Sequence, residues 1–355
     1  MTKKRTTTTT ATTTTTTITT EKQQQQGNSV IKKVLKTSAN VSKKSLSSIR
    51  SVLRHVPIKK PPQVVRWDFL GVGLSYLWGM INRKTLPVFM RKPLYQAWIN
   101  IFKCNQDEIP EPLDSYPSLA DFFSREIIQG ARPIHSDQGT VSPVDGRVLA
   151  CGEIVGDQVE QVKGVTYSIS HFLGCDPQTL LKNKNSKLFH CILYLSPGDY
   201  HRIHSSEDWT IENRHHFPGT LFPVNKAFLK LIPSLFALNE RIVLTGEWKE
   251  GFYSMTAVGA YNVGSISLNF DQETQTNCIT RDFRCKNLEY FSWGGVGSHS
   301  YDVNYEQPIP QERGQEIGQF HLGSTVVLIF EANDFQFNVK QGDYCKMGSL
   351  IGKCK

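Results

Sequence analysis

The sequence has 355 residues, enough for one large domain or two smaller ones, and its formal net charge is +8. Residues 1–66 carry 14 Lys or Arg and a single acid, Glu21, whereas the remaining residues carry 26 basic and 31 acidic side chains. The body of the protein is therefore slightly acidic, which removes the main support for a nucleic-acid-binding function. Eight cysteines without a Cys-x-x-Cys pair indicate reduced, mostly buried thiols.

Residues 1–66 form a basic, low-complexity leader. Thr6–Thr20 is almost pure threonine and Gln23–Gln26 is a glutamine run, so we expect disorder, because neither stretch has apolar side chains to bury. From Ser29 to Lys60 the chain is basic, rich in serine and free of acids. That composition is typical of a mitochondrial transit peptide, and a solvated basic tail is the alternative.

Residues 67–110 change in character. Apolar side chains recur there at helical spacing, with Trp and Tyr between them. The uninterrupted apolar part runs for 13 residues from Phe69, shorter than the roughly 20 that a bilayer span needs. We therefore predict amphipathic membrane-proximal helices that lie in the membrane interface. A helix packed on its own domain and a short or tilted span remain alternatives.

Residues 111–355 have the pattern of one β-rich domain. Ser118 and Asp121 are spaced as the N-cap pair of a short helix. From Val141 onward, short apolar runs alternate with Gly, Pro, Asp and Asn, and no strand–helix alternation suggests a parallel sheet. The fold class predicted is α+β, with a β-rich core and N-terminal membrane-proximal helices. The predicted strands include Val141–Val148, Cys191–Leu195, Ile242–Leu244, Met255–Val263, Ser265–Phe270 and Val326–Phe330.

The pair Gly323-Ser324 immediately precedes one of these predicted strands. Gly323 has no Cβ, so its backbone can adopt conformations closed to other residues, and its carbonyl is unusually accessible. This arrangement would allow the Ser324 hydroxyl to attack its own preceding peptide bond. Taken alone, a Gly-Ser pair is far more typical of an ordinary turn that enters a core strand.

Two further segments hold polar groups that a purely structural role explains poorly. Asp145 lies in SPVDGRV, where Asp-Gly between apolar residues is a hairpin-turn signal. His201 and His204 lie in SPGDYHRIH; with no third ligand at a recognisable spacing, we expect no metal site. A serine nucleophile needs a base, usually histidine, and a carboxylate that orients the base. Asp145, either histidine and Ser324 could supply these roles.

The combination of these segments resembles the phosphatidylserine decarboxylases of the mitochondrial and bacterial type. The resemblance spans roughly residues 70–350 in the order of the family, and no motif position departs from the family pattern. The matching segments are VSPVDGRV (141–148), DYHRIH (199–204), FHLGST (320–325), SLADFFSREIIQGARPI (118–134), QVKGVTYS (161–168), HFPGTLFPV (216–224), LFALNERIV (235–243) and VGAYNVGSI (258–266).

The resemblance implies a proenzyme that cuts itself between Gly323 and Ser324 into a β chain up to residue 323 and an α chain of residues 324–355. Asp145 would orient His204, His204 would take the proton of Ser324, and Ser324 would become a covalent pyruvoyl group. A Schiff base between this group and phosphatidylserine would provide the electron sink for decarboxylation to phosphatidylethanolamine. His201 would assist decarboxylation and protonation.

The same resemblance implies that the two chains stay associated and that the substrate is met in a membrane, the mitochondrial inner membrane. Arg147 and Arg202 lie in the matching motifs, where either could bind the headgroup phosphate or have a structural role.

Two alternatives remain at this stage. A serine protease could use the same Asp–His–Ser order, although Ser324 is not in the G-x-S-x-G elbow of hydrolases. Residues Val339–Cys354 resemble a biotinyl- or lipoyl-type hairpin, which would make the C-terminus a carrier or binding module, although it lacks a lysine in the usual setting.

Overall fold

The computed structural model describes residues 81–355 except 163–164, 177–178, 184–185, 220, 223, 225–228, 230–231, 233, 261–265, 273, 275, 277–300 and 322–323. The leader, and residues 67–80 of the predicted membrane-proximal segment, lie outside the described residues. Those predictions therefore stay predictions.

The described helices are few and short, and they are attached to an extensive β-structure. The predicted cap at Ser118 is confirmed: its hydroxyl accepts from the amide of Asp121 at 3.2 Å, and the Asp121 carboxylate accepts from the Ser118 amide at 3.1 Å. Within the described part of the chain, no helix is both long and apolar enough to cross a bilayer. The α-helices are α1 (Val88–Phe102), α2 (Leu119–Phe123), α3 (Ile169–Leu173) and α4 (Leu235–Leu238), with a 3₁₀ turn at Gln106–Glu108.

The β-rich prediction is confirmed, and the predicted strands at 191–195, 242–244 and 326–330 all lie within observed strands. The strands in chain order are β1 (Thr140–Val141), β2 (Gly146–Glu153), β3 (Gln158–Val162), β4 (Val165–Ser168), β5 (Lys187–Leu195), β6 (Arg202–His204), β7 (Trp209–Phe217), β8 (Arg241–Trp248), β9 (Gly251–Gly259), β10 (Ile266–Leu268), β11 (Tyr301–Gln311), β12 (Glu316–Phe320), β13 (Ser324–Ala332), β14 (Phe335–Phe337), β15 (Tyr344–Cys345) and β16 (Leu350–Cys354).

An antiparallel sheet in the order β11-β7-β8-β9-β13-β5-β2-β15 forms the centre of the domain. Strand β13 is a central strand, and its alternate residues bury into two different clusters, as the period of two requires. Val326, Leu328 and Phe330 pack on one face, and Val327 and Ile329 on the other. Each of these fully buried side chains stabilises the fold by about 1.5–3 kcal/mol.

A smaller antiparallel sheet, β10-β12-β6, covers one face of the large sheet. Its apolar residues Ile203, Ile266 and Phe320 belong to the same buried cluster as Val326 and Leu328. Strand β6 follows β5 in the chain, and β12 precedes β13, so both connections between the two sheets pass the same end of the large sheet.

The strand predicted for Val141–Val148 is wrong as one continuous strand, and the hairpin-turn interpretation of Asp145-Gly146 is wrong as well. Strand β1 pairs with β16, whereas β2 pairs with β5 and β15, so residues 142–145 connect two sheets rather than two paired strands. Gly146 is needed for close approach, because a Cβ there would lie 2.9 Å from the Tyr194 carbonyl oxygen.

Candidate active site

The backbone brings Ser324 and the histidine segment to one end of the large sheet. Ser324 begins β13 and pairs with Leu195, the last residue of β5, and with Gly259, the last residue of β9. The loop that follows β5 contains His201, whose carbonyl accepts from the Phe320 amide at 2.9 Å. Phe320 precedes Ser324 by only four residues in the chain, so the loop that contains His201 lies near the start of β13.

The Asp145 segment reaches the same place through a second backbone contact. The amide of His204 donates to the carbonyl of Pro143 at 2.9 Å. Strand β2, which starts directly after Asp145, pairs with β5 through Arg147 and Tyr194. The three segments singled out in the sequence therefore converge at one end of the sheet.

His201 is fully buried and has a fixed orientation. Its Nδ1 lies 2.7 Å from the carbonyl oxygen of Asp199, so Nδ1 carries the proton and donates it. The imidazole packs against Phe123, with ring centroids 3.9 Å apart. Burial, helped by the charge of Arg125, lowers the pKa of His201 to about 3. The other ring nitrogen, Nε2, has no hydrogen-bond partner among the described residues. In the neutral imidazole its lone pair can therefore accept a proton.

The buried histidines should make stability depend on pH. Burial lowers the pKa of His190 to about 4 and that of His201 to about 3, from an ordinary value of 6.5. Below about pH 6.5 the unfolded chain therefore binds more protons than the folded one, and the free energy of unfolding falls as pH falls. We expect each histidine to contribute a slope of up to about 1.4 kcal/mol per pH unit in urea unfolding between pH 6.5 and 4.5.

The His190→Gln variant tests this prediction, because it should reduce that slope. His171→Gln, at an exposed position, is the matched control and should leave the slope unchanged. A slope identical in wild type and His190→Gln would contradict the prediction.

His204 has partners at both ring nitrogens. Its Nδ1 lies 2.9 Å from the carbonyl oxygen of Gly314, and its Nε2 lies 3.0 Å from the hydroxyl of Tyr200. Burial lowers the pKa of His204 below its ordinary value. His204 is therefore neutral, with its proton on Nδ1.

Asp145 is buried at the same end of the sheet, but its hydrogen bonds go elsewhere. Its Oδ1 accepts from Arg132 Nε and from the amide of Met347, both at 2.8 Å, and its Oδ2 accepts from Arg132 Nη2 at 2.5 Å. Arg132 also pairs with Glu108 at 2.7 Å. Among the hydrogen bonds of the described residues, none joins Asp145 to His204; its negative charge acts on His204 only at longer range.

Arg125 is a site residue that the sequence reasoning did not single out, although it lies in the matching segment SLADFFSREIIQGARPI. It is only 5% exposed and forms no ion pair with a described carboxylate. Its Nη1 and Nη2 donate to the carbonyls of Phe122 and Gly198, both at 3.3 Å, and its Nε has no hydrogen-bond partner in the described structure. A buried, incompletely satisfied guanidinium beside His201 is suited to bind an anion.

Arg147 and Arg202, the two arginines proposed from the motifs, have protein partners. Arg202 pairs with Glu316 at 2.9 Å, and its Nε donates to the carbonyl of Ser124. Arg147 donates to the carbonyl of Gly342 at 2.6 Å. Both contacts join neighbouring segments of the chain.

Helix α1 is packed against this site. Trp98 contacts Phe102 and Phe123, with centroid distances of 4.3 and 6.2 Å, and Phe123 in turn contacts His201. The chain at Gly198 approaches α1 so closely that a Cβ there would lie 2.2 Å from the Phe102 carbonyl oxygen. Helix α1 also exposes apolar side chains, of which Phe89 is 80% exposed. The other exposed apolar residues of α1 are Val88, Met90, Leu94, Ile101 and Phe102.

The structure also bears on the two alternatives. Ser324 starts a central strand, whereas the nucleophile of a G-x-S-x-G hydrolase lies on a strand-to-helix turn. Within Val339–Cys354, β15 pairs with β2 and β16 pairs with β1, so this segment is built into the sheets of the domain. That pairing disfavours an independent carrier module.

Comparison with known proteins agrees with this arrangement. Residues 119–353 match the family model described as phosphatidylserine decarboxylase. The mitochondrial phosphatidylserine decarboxylase proenzyme of Pongo abelii is 42% identical over 299 residues, which cover 79% of this chain and 71% of that protein. The mitochondrial phosphatidylserine decarboxylase proenzyme 1 of Arabidopsis thaliana is 37% identical, covering 82% and 75%, and that of Saccharomyces cerevisiae is 36% identical, covering 79% and 71%. With most of its length matched at this identity, and with the motif segments converging at one end of the sheet, the chain belongs to the phosphatidylserine decarboxylase family.

Proposed function

We propose that this protein decarboxylates phosphatidylserine to phosphatidylethanolamine after cutting itself between Gly323 and Ser324. The observation that carries the proposal is the unpartnered Nε2 of the buried His201, in a loop that is hydrogen-bonded to the end of β12 beside the start of β13. A buried polar atom without a partner is costly unless a ligand completes it. The names of the relatives support the substrate and the proenzyme state.

The cut would use the Ser324 hydroxyl as nucleophile. Its oxygen attacks the Gly323 carbonyl carbon, its proton passes to His204, and an ester replaces the amide. Elimination then releases the Gly323 carboxylate, and water converts the residue left at position 324 into a pyruvoyl group with loss of ammonia. Asp145 would support His204 through its nearby negative charge rather than through a direct hydrogen bond.

The pyruvoyl group would supply an electron-accepting carbonyl that ordinary side chains lack. His201 would act as the acid and base of the turnover, because its neutral Nε2 can take up and return a proton while Asp199 and Phe123 hold the ring still. Such a group contributes typically about 10²–10⁴-fold to the rate. Its complete burial excludes water, which would otherwise compete for the proton.

Arg125 would bind an anionic group of the substrate headgroup. We expect Arg125→Ala to cut itself normally but to raise KM for phosphatidylserine about 10- to 100-fold, because a charge-assisted hydrogen bond contributes about 1.5–3 kcal/mol. Steady-state kinetics on detergent-dispersed substrate measure this effect. Lys353→Ala, at an exposed basic residue of β16, is the control and should keep the wild-type KM. An unchanged KM in Arg125→Ala would return that residue to a purely structural role.

The exposed side of α1 would contact the membrane that contains the substrate. Phe89, Ile101 and their apolar neighbours on α1 are exposed, while Trp98 on the same helix reaches towards His201 through Phe123. Exposed apolar side chains on a helix are stabilised at the boundary between headgroups and acyl chains. The relatives are named mitochondrial, and the leader is basic and acid-free from Ser29 to Lys60, which supports a mitochondrial location. The membrane that we propose there is the inner one.

The two chains would remain associated after the cut. Strand β13 lies between β5 and β9, so residues 324–332 keep their hydrogen bonds on both sides. The buried carboxylate of Glu331 also accepts from the amides of Lys182 and Phe252 at 2.9 Å and of Asn183 at 2.8 Å. All these donors belong to the larger chain.

Intact-mass measurement of the purified protein tests the proposed self-cleavage. We expect two chains that meet between residues 323 and 324, with the smaller one lighter than the plain peptide 324–355 by the mass of one ammonia molecule, because a serine that becomes a pyruvoyl group loses ammonia overall. A single uncut chain in fully active material would refute the proposal.

A further inference from the structure

The turn that precedes His201 is built around one side chain, that of Asp199. The amide of Asp199 donates to the carbonyl of Ser196 at 2.9 Å, and the carboxylate oxygen Oδ2 of Asp199 accepts from the amide of Ser196 at 2.6 Å. These two bonds close residues 196–199 into a compact turn directly after β5. Because the Asp199 carbonyl accepts from His201 Nδ1, the orientation of the imidazole depends on how Asp199 is held.

The second oxygen of the Asp199 carboxylate is held by Tyr344. The Tyr344 hydroxyl donates to Oδ1 at 2.9 Å, across a separation of 145 residues in the chain. Burial raises the pKa of Asp199, so its carboxylate is partly shielded from water, and the bond from Tyr344 opposes that shift by stabilising the charged form. Burial and the charges of Asp145 and Asp199 raise the pKa of Tyr344, so the phenol keeps its proton and donates it.

Strand pairing fixes Tyr344 independently of its hydroxyl. Tyr344 lies in β15, where it pairs with Arg147 of β2, and its neighbour Cys345 is buried and pairs with Gly146. Tyr344 as a whole is 47% exposed, so a change at its hydroxyl leaves no cavity in the core. The strand should therefore keep its place when the hydroxyl is removed.

Tyr344 reaches the turn from a different part of the chain than the other contacts do. Arg125 Nη2 donates to the carbonyl of Gly198 at 3.3 Å, and the carbonyl of Phe102 lies against the same glycine. Both contacts meet the backbone of the turn, whereas among the described residues only Tyr344 donates from a side chain to the Asp199 carboxylate. Tyr344 belongs to residues 324–355, which the proposed cut would separate from all the others as the smaller chain.

We propose that Tyr344 is a positioning residue for His201, through which the smaller chain helps to hold the acid and base of the turnover in place. Two hydrogen bonds make the connection: the Tyr344 hydroxyl to the Asp199 carboxylate at 2.9 Å, and His201 Nδ1 to the Asp199 carbonyl at 2.7 Å. A catalytic group displaced by about 1 Å can lose up to about 10²-fold in rate, so the position of Asp199 matters for turnover. This inference rests on the role proposed above for His201.

Tyr344→Phe is the direct test, because it removes one hydroxyl and keeps the ring. We expect the variant to cut itself normally and its kcat per cut chain to fall about 10-fold, with an unchanged KM for phosphatidylserine because Arg125 is not touched. The matched control is Tyr305→Phe: the Tyr305 hydroxyl also donates to a carboxylate, that of Asp271 at 3.0 Å, but β11 lies at the opposite edge of the large sheet from β15. The control should keep the wild-type kcat. A wild-type kcat in Tyr344→Phe, or a raised KM in place of a lowered kcat, would overturn the proposal.

A double-mutant cycle with His201→Ala separates positioning from a general structural role. If Tyr344 acts through His201, then Tyr344→Phe should change kcat by less than about twofold once His201 has been replaced, because the group that it positions is gone. A hydroxyl that merely stabilised the site as a whole would lower kcat by the same factor in both backgrounds, and that result would overturn the proposal. Release of isotopically labelled CO₂ from phosphatidylserine measures the low rates of the His201→Ala background.

Failure of this inference is distinguishable from failure of the proposed function. If His201→Ala keeps full turnover, the role proposed for His201 is itself wrong, and the inference falls with it. If His201→Ala loses turnover and Tyr344→Phe does not, only the positioning by Tyr344 is wrong.

Discussion

Ser324→Ala is expected to remain a single uncut chain with no measurable decarboxylase activity. The Ser324 hydroxyl is the proposed nucleophile of the cut, and residue 324 is the proposed source of the electron-accepting carbonyl, so one substitution removes both. The strand itself should survive, because β13 is held by its pairing with β5 and β9 and by the burial of Val326–Phe330. Denaturing gel electrophoresis and intact mass measure the cut, and release of CO₂ from phosphatidylserine measures the activity.

Ser136→Ala is the matched control, since Ser136 is an exposed serine whose hydroxyl donates to the adjacent Asp137 at 3.5 Å. It should mature and turn over as wild type does. Normal maturation of Ser324→Ala would rule out self-cleavage by serinolysis, and with it the pyruvoyl group.

His201→Ala is expected to separate maturation from turnover. His201 lies outside the proposed base of the cut, so the variant should mature, whereas kcat should fall about 10²–10⁴-fold because the acid and base of the turnover is lost. The lowered pKa of His201, about 3, also predicts the pH dependence of the wild type. Because His201 stays neutral between pH 7 and 5, its protonation should cause no decrease of kcat in that range.

The measurement compares kcat per mole of cut chain in His201→Ala with that in His171→Ala, which replaces an exposed histidine. The thermal unfolding temperature of both variants is measured as well. It shows whether the cavity that His201→Ala leaves beside Phe123 has unfolded the protein. Full turnover in folded, cut His201→Ala would assign that histidine a packing role only.

Local patterns in the chain predicted a good part of the domain. The apolar run Val326–Phe330 could be recognised as a buried strand because a central strand buries both faces, and Ser118 and Asp121 could be recognised as a cap because three residues separate the two partners. The strand at Val141–Val148 was overestimated because all its apolar residues are buried, although residues 142–145 pass from one sheet to another. Periodicity reports burial, and it does not report which strand is the neighbour.

The partners of the proposed catalytic groups could not be obtained in this way. Asp145 meets Arg132, His204 meets Gly314, and Arg125 meets Gly198, over separations of 13, 110 and 73 residues. No local rule connects such positions, since each contact depends on how two sheets and two helices pack.

The order of residues by itself determined which chemical groups this protein carries: a Gly-Ser bond before a core strand, two histidines three residues apart, and an acid-free leader. Only the tertiary structure decided which groups touch. The packing of distant segments brings Tyr200 and a backbone carbonyl to His204, and it brings an arginine to Asp145. The reason is physical: a buried polar atom must bond to whatever donor or acceptor packing brings within about 3 Å, and packing is a property of the whole domain.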